Sequence, residues 1–427
     1  MKVLIVNTSE LTGGAAVAAN RLAKALNHHG VEAKMLVLHR QTDKREVVAV
    51  GSRWGNWLRF CYERLVIFLH NGLSRRNLFA VSIANTGFDV TKTPEFREAD
   101  VIHLHWVNQG MLSLKGIRRI LDSGKPVVWT MHDMWPATAI CHLTLGCENF
   151  KAQCRGCKYL PKNGLGNDLS VRYWRRKKNL YENRTISFVT CSRWLAKEAK
   201  NSSLLAEQNV TSIPNPIDTQ LFSPKNKVEA RFHVGLPTEK RLLLFGAQRV
   251  TNKNKGIAYL IEAIKKLSEN HPEMKENTAI AILGAHADEL AEQLSLPVYP
   301  LGYVENQEKI VEIYNAADVF VLPSLSDNLP NTIMEAMACG VPCVGFDVGG
   351  IPEMIDHRKN GYVAKFRDAD DLADGIRWVL AEADYKALSE AAVCKVKENY
   401  SEQQVASRYL EIYQEALGQQ AKTLKND

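Results

Sequence analysis

Short runs of aliphatic and β-branched residues alternate along the chain with longer segments in which apolar residues recur every three or four positions. The runs predict buried strands, and the recurring pattern predicts amphipathic helices. In the first half, strands are predicted at residues 2–6, 31–38, 101–105, 127–130 and 186–190, with a helix at 15–26. Strands that alternate with helices predict an α/β fold with a parallel, doubly wound sheet.

The same alternation restarts after the segment IPNPID at residues 213–218. Two prolines so close together fit neither a helix interior nor a central strand, so this segment is a predicted linker. Beyond it, strands are predicted at 242–245, 279–283, 319–322 and 343–346, and helices at 257–267, 310–315 and 332–338. We therefore predict two α/β domains, residues 1–214 and residues 215–401.

The bulk composition adds a preference for anionic partners. The chain has 427 residues, enough for two or three domains, and a net charge of +7. This charge suits a nucleotide diphosphate, a lipid phosphate or a membrane surface, and no nucleic-acid recognition motif accompanies it. The first residues lack the apolar length of a secretory signal, and no stretch approaches about 20 apolar residues. We expect a cytoplasmic protein that is at most peripheral to a membrane.

Two segments combine tryptophan with basic residues on an amphipathic helix. Residues 54–69 place on one face Trp54, Trp57, Leu58, Cys61, Leu65, Phe68 and Leu69, with Arg53, Arg59, Arg64, Arg75 and Arg76 nearby. Residues 171–181 place on one side Val171, Trp174 and Tyr181, with Arg172, Arg175, Arg176, Lys177 and Lys178 around them. Each helix either lies in a membrane interface or turns its apolar face to the core and its basic face to solvent. Amphipathicity alone does not separate these two interpretations.

A glycine pair, Gly13-Gly14, follows the first predicted strand. Glycine lets the backbone approach a phosphate, and the start of the next helix adds unpaired N–H groups and a positive dipole end. The pair is a candidate phosphate contact, and the alternative is a simple tight turn.

Two cations, Arg249 and Lys255, follow the first strand of the second half. Open α/β sheets bind ligands at the carboxyl ends of their strands. An arginine and a lysine at this place can neutralise a diphosphate leaving group without a metal ion. The alternative is a pair of surface cations on a loop that also carries Lys253.

The most specific segment is LPSLSDNLPNTIMEAMACG at residues 322–340. A predicted strand ends at Leu322, a loop carries Asp327, and Glu335 lies about one turn inside the next helix. Two carboxylates eight residues apart can both point into one cleft and hold sugar and ribose hydroxyls through charged hydrogen bonds. The alternative for Glu335 is an ordinary exposed glutamate, which its apolar neighbours disfavour.

This segment resembles the signature of the retaining family 4 glycosyltransferases, whose pattern is Pro-Ser, a glutamate, seven residues, and a second glutamate in Glu-Ala-Met-Ala. The resemblance covers nearly the whole chain and includes Gly13-Gly14, Arg249, Lys255-Gly256 and the stretches at 215–218, 348–353 and 360–362. It implies the GT-B fold, in which two Rossmann-like domains face each other across a cleft. It also implies that a final helix at 402–420 packs back on the first domain.

The resemblance also implies roles for individual residues. Glu335 would hold the donor ribose, and Asp327 would face the transferred sugar together with backbone N–H groups near Asn328 and Leu329. His132, which follows the predicted strand 127–130, matches a histidine close to the donor sugar and phosphate. Considered without the family, His132 is more often a structural histidine than a catalytic one.

Three positions depart from the family pattern. Asp327 stands in place of glutamate, which moves its carboxylate back by one methylene. The spacing from Arg249 to Lys255 is one residue longer than usual, so Gln248 or Lys253 can take over one contact. Pro330 and Pro216 each replace a typical glycine, and proline removes a backbone N–H and stiffens the loop.

A cysteine cluster lies between residues 141 and 157. Its members are Cys141, Cys147, Cys154 and Cys157. Four thiols suit a closed structural zinc site, although the C-x5-C-x6-C-x2-C spacing is not that of a common zinc finger. The alternative is a set of reduced thiols in a loop.

The resemblance implies retaining, metal-independent transfer of a sugar from a nucleotide-diphosphate sugar, with no cofactor for catalysis. The acceptor would be a glycan or a polyprenyl-linked precursor of a surface polysaccharide at the inner membrane face. Two alternatives stay open, a nucleotide-sugar epimerase of the same architecture and a non-catalytic nucleotide-sugar-binding protein.

Overall fold

The computed structural model describes residues 1–161 and 168–426, with side chains described as far as residue 420. The strands are β1 Lys2–Val6, β2 Glu32–Val37, β3 Val47–Ala49, β4 Val101–Leu104, β5 Val127–Met131, β6 Ser187–Thr190, β7 Asn209–Ser212, β8 Arg241–Arg249, β9 Thr278–Ala285, β10 Val298–Gly302, β11 Val319–Leu322, β12 Cys343–Phe346 and β13 Gly361–Ala364. The helices are α1 Gly14–His28, α2 Arg53–His70, α3 Pro94–Glu98, α4 Leu114–Asp122, α5 Leu169–Tyr181, α6 Arg193–Lys200, α7 Lys227–Val234, α8 Ile257–Asn270, α9 Pro272–Asn277, α10 Gln307–Ala316, α11 Asn331–Ala338, α12 Ile351–Met354, α13 Ala369–Arg377, α14 Tyr385–Asn399 and α15 Glu402–Asn426.

The strands form two parallel sheets, each in its own compact unit. The first unit consists of Met1–Pro216 and Val405–Asp427, and the second of Ile217–Gln404. The first sheet has the order β3-β2-β1-β4-β5-β6-β7, and the second has the order β10-β9-β8-β11-β12-β13. In both, the first strand of the unit lies at the centre and the order reverses beside it, as in a doubly wound Rossmann-like sheet. The predicted α/β class is confirmed.

The central strands are apolar on both faces because helices cover both sides of each sheet. Residues 3–6 of β1 and all of β4, β5, β11 and β12 are buried. One face of the first sheet packs against α1 and against Val405, Tyr409 and Tyr413 of α15. Every strand predicted from sequence is present, with its ends moved by a few residues.

The last helix brings two tyrosine hydroxyls into the first unit. The Tyr409 hydroxyl lies 2.8 Å from Thr130 Oγ1, and the Tyr413 hydroxyl lies 2.8 Å from His103 Nδ1. All four side chains are buried. A buried tyrosine usually finds a polar partner for its hydroxyl, so these contacts give α15 a fixed register on the sheet.

The two amphipathic segments form helices that face opposite ways. In α2 the buried residues are Asn56, Glu63, Arg64 and Ile67, whereas Trp54 is 75% exposed and Trp57 is 53% exposed. Of the two interpretations, a core-facing apolar side with a solvated basic face does not hold for α2, because its tryptophans are exposed and Arg64 is buried. In α5 the buried residues are Leu169, Ser170, Val171, Tyr173, Lys177, Leu180 and Tyr181, so this helix does face the core. Within the described residues, every helix is too short or too polar to cross a bilayer.

Candidate functional site

Two of the predicted site residues meet at the carboxyl edge of the second sheet. Lys255 Nζ lies 2.7 Å from Asp327 Oδ2, and their side chains are 27% and 17% exposed. Lys255 closes a short 3₁₀ turn that follows β8, and Asp327 lies in the loop that follows β11. These strands are neighbours at the point where the strand order reverses, which is where doubly wound sheets bind their ligands.

Close backbone packing holds the loops that carry this ion pair. Gly256 has φ +71°, and a Cβ at this residue would lie 1.7 Å from the Pro323 carbonyl oxygen. Gly349 has φ +61°, and a Cβ there would lie 1.8 Å from the Asp327 carbonyl oxygen. Leu325 N–H also donates to the Asn254 carbonyl at 2.8 Å. Only glycine fits at positions 256 and 349, and the three loops after β8, β11 and β12 are thereby locked together.

Glu335 is buried near the start of α11, with 9% of its surface exposed. The Tyr314 hydroxyl, on α10, donates to Glu335 Oε2 at 2.8 Å. A buried carboxylate requires such partners, since an unpaired one is costly to remove from water. The interpretation of Glu335 as an ordinary exposed glutamate is therefore wrong.

The other predicted residues of the second unit surround this edge. Arg249 is the exposed last residue of β8, where it pairs with Ala285 of β9. Asn328 is partly buried, and Leu329 is buried in the same loop as Asp327. The structure therefore joins Lys255 to Asp327 by a direct contact and places Arg249 on an exposed strand end.

Gly13 and Gly14 lie at the start of α1 in the first unit. Gly13 has φ +92° and is the N-cap of the helix without a side-chain cap. A Cβ at Gly13 would meet no atom within 4 Å, so the space in front of the helix start is open. The positive end of a helix suits a phosphate.

His132 directly follows β5 and makes contacts through both ring nitrogens. His132 Nε2 lies 2.9 Å from His105 Nδ1, and His132 Nδ1 lies 3.4 Å from Cys191 Sγ. Burial lowers the pKa of His132 to about 4, and the neighbouring Asp133 only partly opposes this. The imidazole is therefore neutral at pH 7.

Asp133 organises the loop that follows His132. Its Oδ2 accepts hydrogen bonds from Trp106 Nε1 at 2.9 Å and from His142 Nδ1 at 2.7 Å, and its Oδ1 accepts from the Trp135 N–H at 2.8 Å. Burial raises the pKa of Asp133, but His142 and the hydrogen bonds from Trp135 and Trp106 outweigh burial, and the net pKa is lowered. An ionised carboxylate thus fixes the backbone beside His132.

The structure does not support the predicted zinc site at the cysteine cluster. Cys154 lies in the core of the first unit, and Cys141 and Cys157 pack against that core. Burial raises the pKa of Cys141 to about 12 and that of Cys157 to about 11, and neighbouring cysteines contribute to both shifts. Across residues 1–161 and 168–426, no three His, Cys, Asp or Glu side chains are arranged to hold a metal ion. None of these four cysteines forms a disulfide.

Sequence reasoning missed the residues that support the site. His105 was visible only as the end of a strand, although its spacing from His103 places both rings on one sheet face. Tyr314 gave no signal, because it lies 21 residues from Glu335 and joins it only through the packing of α10 on α11. Asp133 gave no signal either, because its partners Trp106 and His142 lie on other segments of the chain.

Two family models match the chain. The one described as Glycosyltransferase Family 4 matches residues 12–221, and the one described as Glycosyl transferases group 1 matches residues 226–393.

The curated relatives that match the chain are glycosyltransferases. An uncharacterized glycosyltransferase of Methanocaldococcus jannaschii is 31% identical over 241 residues, which cover 54% of this chain and 60% of that protein. A D-inositol 3-phosphate glycosyltransferase of Corynebacterium aurimucosum is 25% identical over 423 residues, which cover 95% of this chain and 91% of that protein. For three of the curated relatives, including the Methanocaldococcus protein, the matched residues span about half to three fifths of the relative's length.

Solved structures share the whole fold. A sucrose-phosphate synthase from Thermosynechococcus elongatus superposes with a TM-score of 0.65 at 17% identity, over 98% of this chain and 99% of that one. Anabaena HepE, solved with UDP and glucose, also gives a TM-score of 0.65 at 17% identity, over 97% of this chain and 100% of that one. At this level of identity the similarity concerns the fold alone.

Proposed function

Because this chain belongs to the family 4, group 1 glycosyltransferases and has their GT-B fold, we propose that it retains the anomeric configuration of the sugar it transfers. The donor is a nucleotide-diphosphate sugar, and the acceptor is a glycan or a lipid-linked precursor of a surface polysaccharide. The contact between Lys255 and Asp327 at the switch point of the second sheet carries this proposal. It supports the proposal because a cation that can pair with phosphate lies in contact with a carboxylate that can accept hydrogen bonds from sugar hydroxyls.

The second unit is the donor-binding domain in this proposal, and the first unit is the acceptor domain. Lys255 and Arg249 neutralise the charge that develops on the departing diphosphate, so no metal ion is needed for that step. Lys255 is already held by Asp327 at 2.7 Å, which orders its long side chain before the donor arrives. Asp327 then faces the sugar, together with the backbone of Asn328 and Leu329.

Glu335 holds the donor ribose in this proposal. The Tyr314 hydroxyl occupies Oε2 at 2.8 Å and so fixes the plane of the carboxylate. A carboxylate in a fixed orientation accepts hydrogen bonds from two neighbouring hydroxyls better than a mobile one. His132 and the Gly13-Gly14 turn belong to the first unit, and the family resemblance implies that His132 lies close to the donor sugar and that the glycine turn lies close to the phosphate.

The test is a donor screen followed by matched variants. UDP-sugars come first, because HepE was solved with UDP. We expect Glu335→Gln to lower kcat/KM by about 30- to 150-fold, the effect of losing about 2–3 kcal/mol of charged hydrogen bonding. The control is Glu262→Gln on the exposed side of α8, which keeps wild-type kinetics. Unchanged turnover and donor affinity in Glu335→Gln would refute the assignment.

Product analysis separates transfer with retention from the alternatives. The anomeric coupling in the NMR spectrum of the product should match that of the donor. Incubation with the donor alone should leave the identity of the sugar unchanged. A changed sugar without acceptor would favour an epimerase, and tight donor binding without turnover against an acceptor panel would favour a binding protein.

An outward apolar surface on the first unit supports a membrane setting. Of the fourteen large apolar side chains exposed in the described part of the chain, eight lie between residues 54 and 79, each at least 52% exposed. We call these eight the α2 apolar surface: Trp54, Trp57, Leu58, Tyr62, Leu65, Leu69, Leu73 and Phe79. Exposed apolar groups on this scale mark interaction sites in soluble domains.

The charges around the α2 apolar surface select an anionic bilayer as its partner. The exposed arginines of this segment are Arg53, Arg75 and Arg76. The single acid in residues 53–79 is Glu63, which is buried and paired with Arg64. Exposed tryptophan and leucine with exposed arginines close by in the sequence are what an interfacial segment requires. We propose that this surface holds the enzyme at the cytoplasmic face of a membrane, where a polyprenyl-linked acceptor would lie.

Vesicle flotation tests this setting. The wild-type protein should float with phosphatidylglycerol-containing vesicles at low salt, and Trp54→Ser with Trp57→Ser should remove most of that binding. The control is Phe232→Ser, which removes an exposed aromatic residue of α7 in the second unit and should leave flotation unchanged. Failure of the wild-type protein to bind anionic vesicles at low salt would refute the membrane setting and leave the transfer reaction untouched.

A further inference from the structure

Three neighbouring strands of the first sheet end in a row of hydrogen-bonding side chains. His105 follows β4, His132 follows β5 and Cys191 follows β6. His105 Nδ1 lies 2.9 Å from His132 Nε2, and His132 Nδ1 lies 3.4 Å from Cys191 Sγ. Cys191 Sγ in turn lies 3.5 Å from the Met131 carbonyl oxygen. The row therefore fixes both nitrogens of His132 within the protein.

His105 is itself held rigidly. The ring centroids of His103 and His105 are 4.2 Å apart. His103 cannot turn away, because its Nδ1 contacts the Tyr413 hydroxyl at 2.8 Å and its Nε2 contacts Thr130 Oγ1 at 2.7 Å. The Trp129 indole N–H donates to the His105 carbonyl at 3.1 Å. The position of His105 Nδ1 is therefore set by the sheet and by α15 together.

Burial keeps the imidazoles of His105 and His132 in their neutral, singly protonated form. Burial lowers the pKa of His105 well below its usual value and that of His132 to about 4. Both imidazoles are neutral at pH 7, so each carries one N–H. Across the 2.9 Å contact, one nitrogen must donate and the other must accept.

Two arrangements of protons are possible, and the surroundings distinguish them. If His132 Nε2 donates, the proton of His105 moves to Nε2, which is buried and has no hydrogen-bond partner among the described residues. An orphaned buried N–H is rare and costly. If His105 Nδ1 donates, the His132 proton sits on Nδ1 and points to Cys191 Sγ, and the Cys191 thiol donates to the Met131 carbonyl. In this second arrangement every proton has an acceptor.

We propose that His105 is a positioning residue for glycosyl transfer, whose Nδ1–H donates to His132 Nε2 and fixes His132 as the Nδ1–H tautomer. This inference rests on the proposed function, in which His132 lies beside the donor sugar. It defines how His132 acts: the ring is held in place and oriented, and its Nε2 is occupied as an acceptor instead of acting as an acid. His105 does this without touching the substrate.

The tautomer can be measured without any substrate. In protein labelled with ¹⁵N-histidine, the imidazole pattern of His132, assigned by its loss in His132→Asn, should show a protonated Nδ1 and an unprotonated Nε2 at pH 7. A protonated Nε2 in the wild-type protein would overturn the proposal. Because no donor or acceptor is present, this result stands apart from the fate of the proposed reaction.

Variants of His105 then test whether the hydrogen bond matters for the reaction. The amide nitrogen of asparagine takes the place of Nδ1, whereas that of glutamine lies one bond farther, at the place of Nε2. We expect His105→Gln and His105→Leu to lower kcat by about tenfold or more, as the loss of one orienting hydrogen bond does, with a smaller change in the donor KM. His105→Asn should restore at least about a third of kcat and the wild-type His132 tautomer.

Comparison of His105→Asn with His105→Leu distinguishes a positioning role of His105 from a purely structural one. If His105→Asn and His105→Leu have the same kcat and the same His132 tautomer, His105 is a structural residue only, and the proposal fails. Should the leucine variant not fold, the tautomer of the wild-type protein and the contrast between the asparagine and glutamine variants still decide the question.

Discussion

The helices α2 and α5 have the same kind of sequence and opposite orientations. Both carry tryptophan on an apolar stripe with arginines and lysines close by. In α5 the apolar stripe lies in the core, with Val171, Tyr173 and Tyr181 buried. In α2 the apolar stripe faces outward, and the helix buries Asn56, Glu63 and Arg64 instead. The comparison shows that an amphipathic pattern predicts an apolar face and a polar face on a helix. It does not predict which of the two packs against the core.

Specific polar contacts decide the orientation of α2. Glu63 Oε1 accepts the backbone N–H groups of Ile83 and Ala84 at 2.8 and 2.9 Å. Arg64 pairs with Glu63 at 3.0 Å and donates to the carbonyl oxygens of Leu78 and Val81. These bonds satisfy two N–H groups and two carbonyl oxygens in residues 78–84, and buried backbone groups require such partners. The polar face of α2 is thus an integral part of the core.

In α5 the buried charge has no ion-pair partner among the described residues. Lys177 is fully buried, with Nζ 3.4 Å from the centroid of the Trp135 ring and 2.9 Å from the Thr138 carbonyl oxygen. Burial lowers its pKa to about 7. In α2 the buried charges of Glu63 and Arg64 are paired with each other. In α5 the buried Lys177 has a lowered pKa, so it loses its proton near neutral pH.

The largest expected effect comes from breaking the pair in α2. Glu63→Ala should lower the free energy of unfolding by about 3–5 kcal/mol, because it leaves two N–H groups and the Arg64 guanidinium buried without their partner. The measurement is urea unfolding followed by tryptophan fluorescence, which reports on the first unit because seven of the eight tryptophans lie there.

A matched variant separates charge from hydrogen bonding in this experiment. Glu63→Gln keeps an acceptor for Ile83 and Ala84 and removes only the negative charge, so it should cost clearly less than Glu63→Ala. A change below about 1 kcal/mol in Glu63→Ala would show that the polar face of α2 does not stabilise its orientation.

The second expected effect is a pH dependence that Lys177 imposes on stability. Between pH 7 and 10.5 the unfolded chain keeps the Lys177 proton while the folded chain has lost it, so stability rises with pH in this window. Below pH 7 both states are protonated and the contribution is constant. From pH 7 to pH 9 the wild-type protein should gain about 2 kcal/mol relative to Lys177→Met. Parallel stability curves for the two proteins over this range would contradict a lowered lysine pKa.

The strands of both sheets could be predicted from the sequence because each is a short apolar run that is visible locally. A run such as VLIV at 3–6 or VFVL at 319–322 is buried on both faces, and few other structures accommodate it. The proline-rich segment at 213–218 is likewise a local pattern, and the two compact units divide within it. The orientation of α2 could not be obtained in this way, because it depends on backbone groups near Ile83, about 20 residues away.

The candidate site also contains residues that a local pattern predicts and residues that depend on contacts between distant elements. Lys255 and Asp327 were predictable as residues at strand ends, and their direct contact follows once β8 and β11 are neighbours. Tyr314 and His105 were not, because their roles come from contacts between elements that no local pattern shows. The structure gives the zinc prediction no support, because four cysteines close in sequence do not by themselves fix the geometry of a metal site.

The smallest expected effect compares the same substitution in both helices. Trp174 of α5 packs against the core and its indole N–H donates to Ser203 Oγ at 3.3 Å, so Trp174→Ser should cost about 1–2 kcal/mol of unfolding free energy. Trp54 and Trp57 of α2 contact each other with ring centroids 5.8 Å apart and are otherwise open to solvent. Replacing both with serine should therefore change the unfolding free energy by no more than about 0.5 kcal/mol. If the double variant in α2 is as destabilised as Trp174→Ser, the outward face of α2 is packed in solution, and the contrast between the two helices disappears.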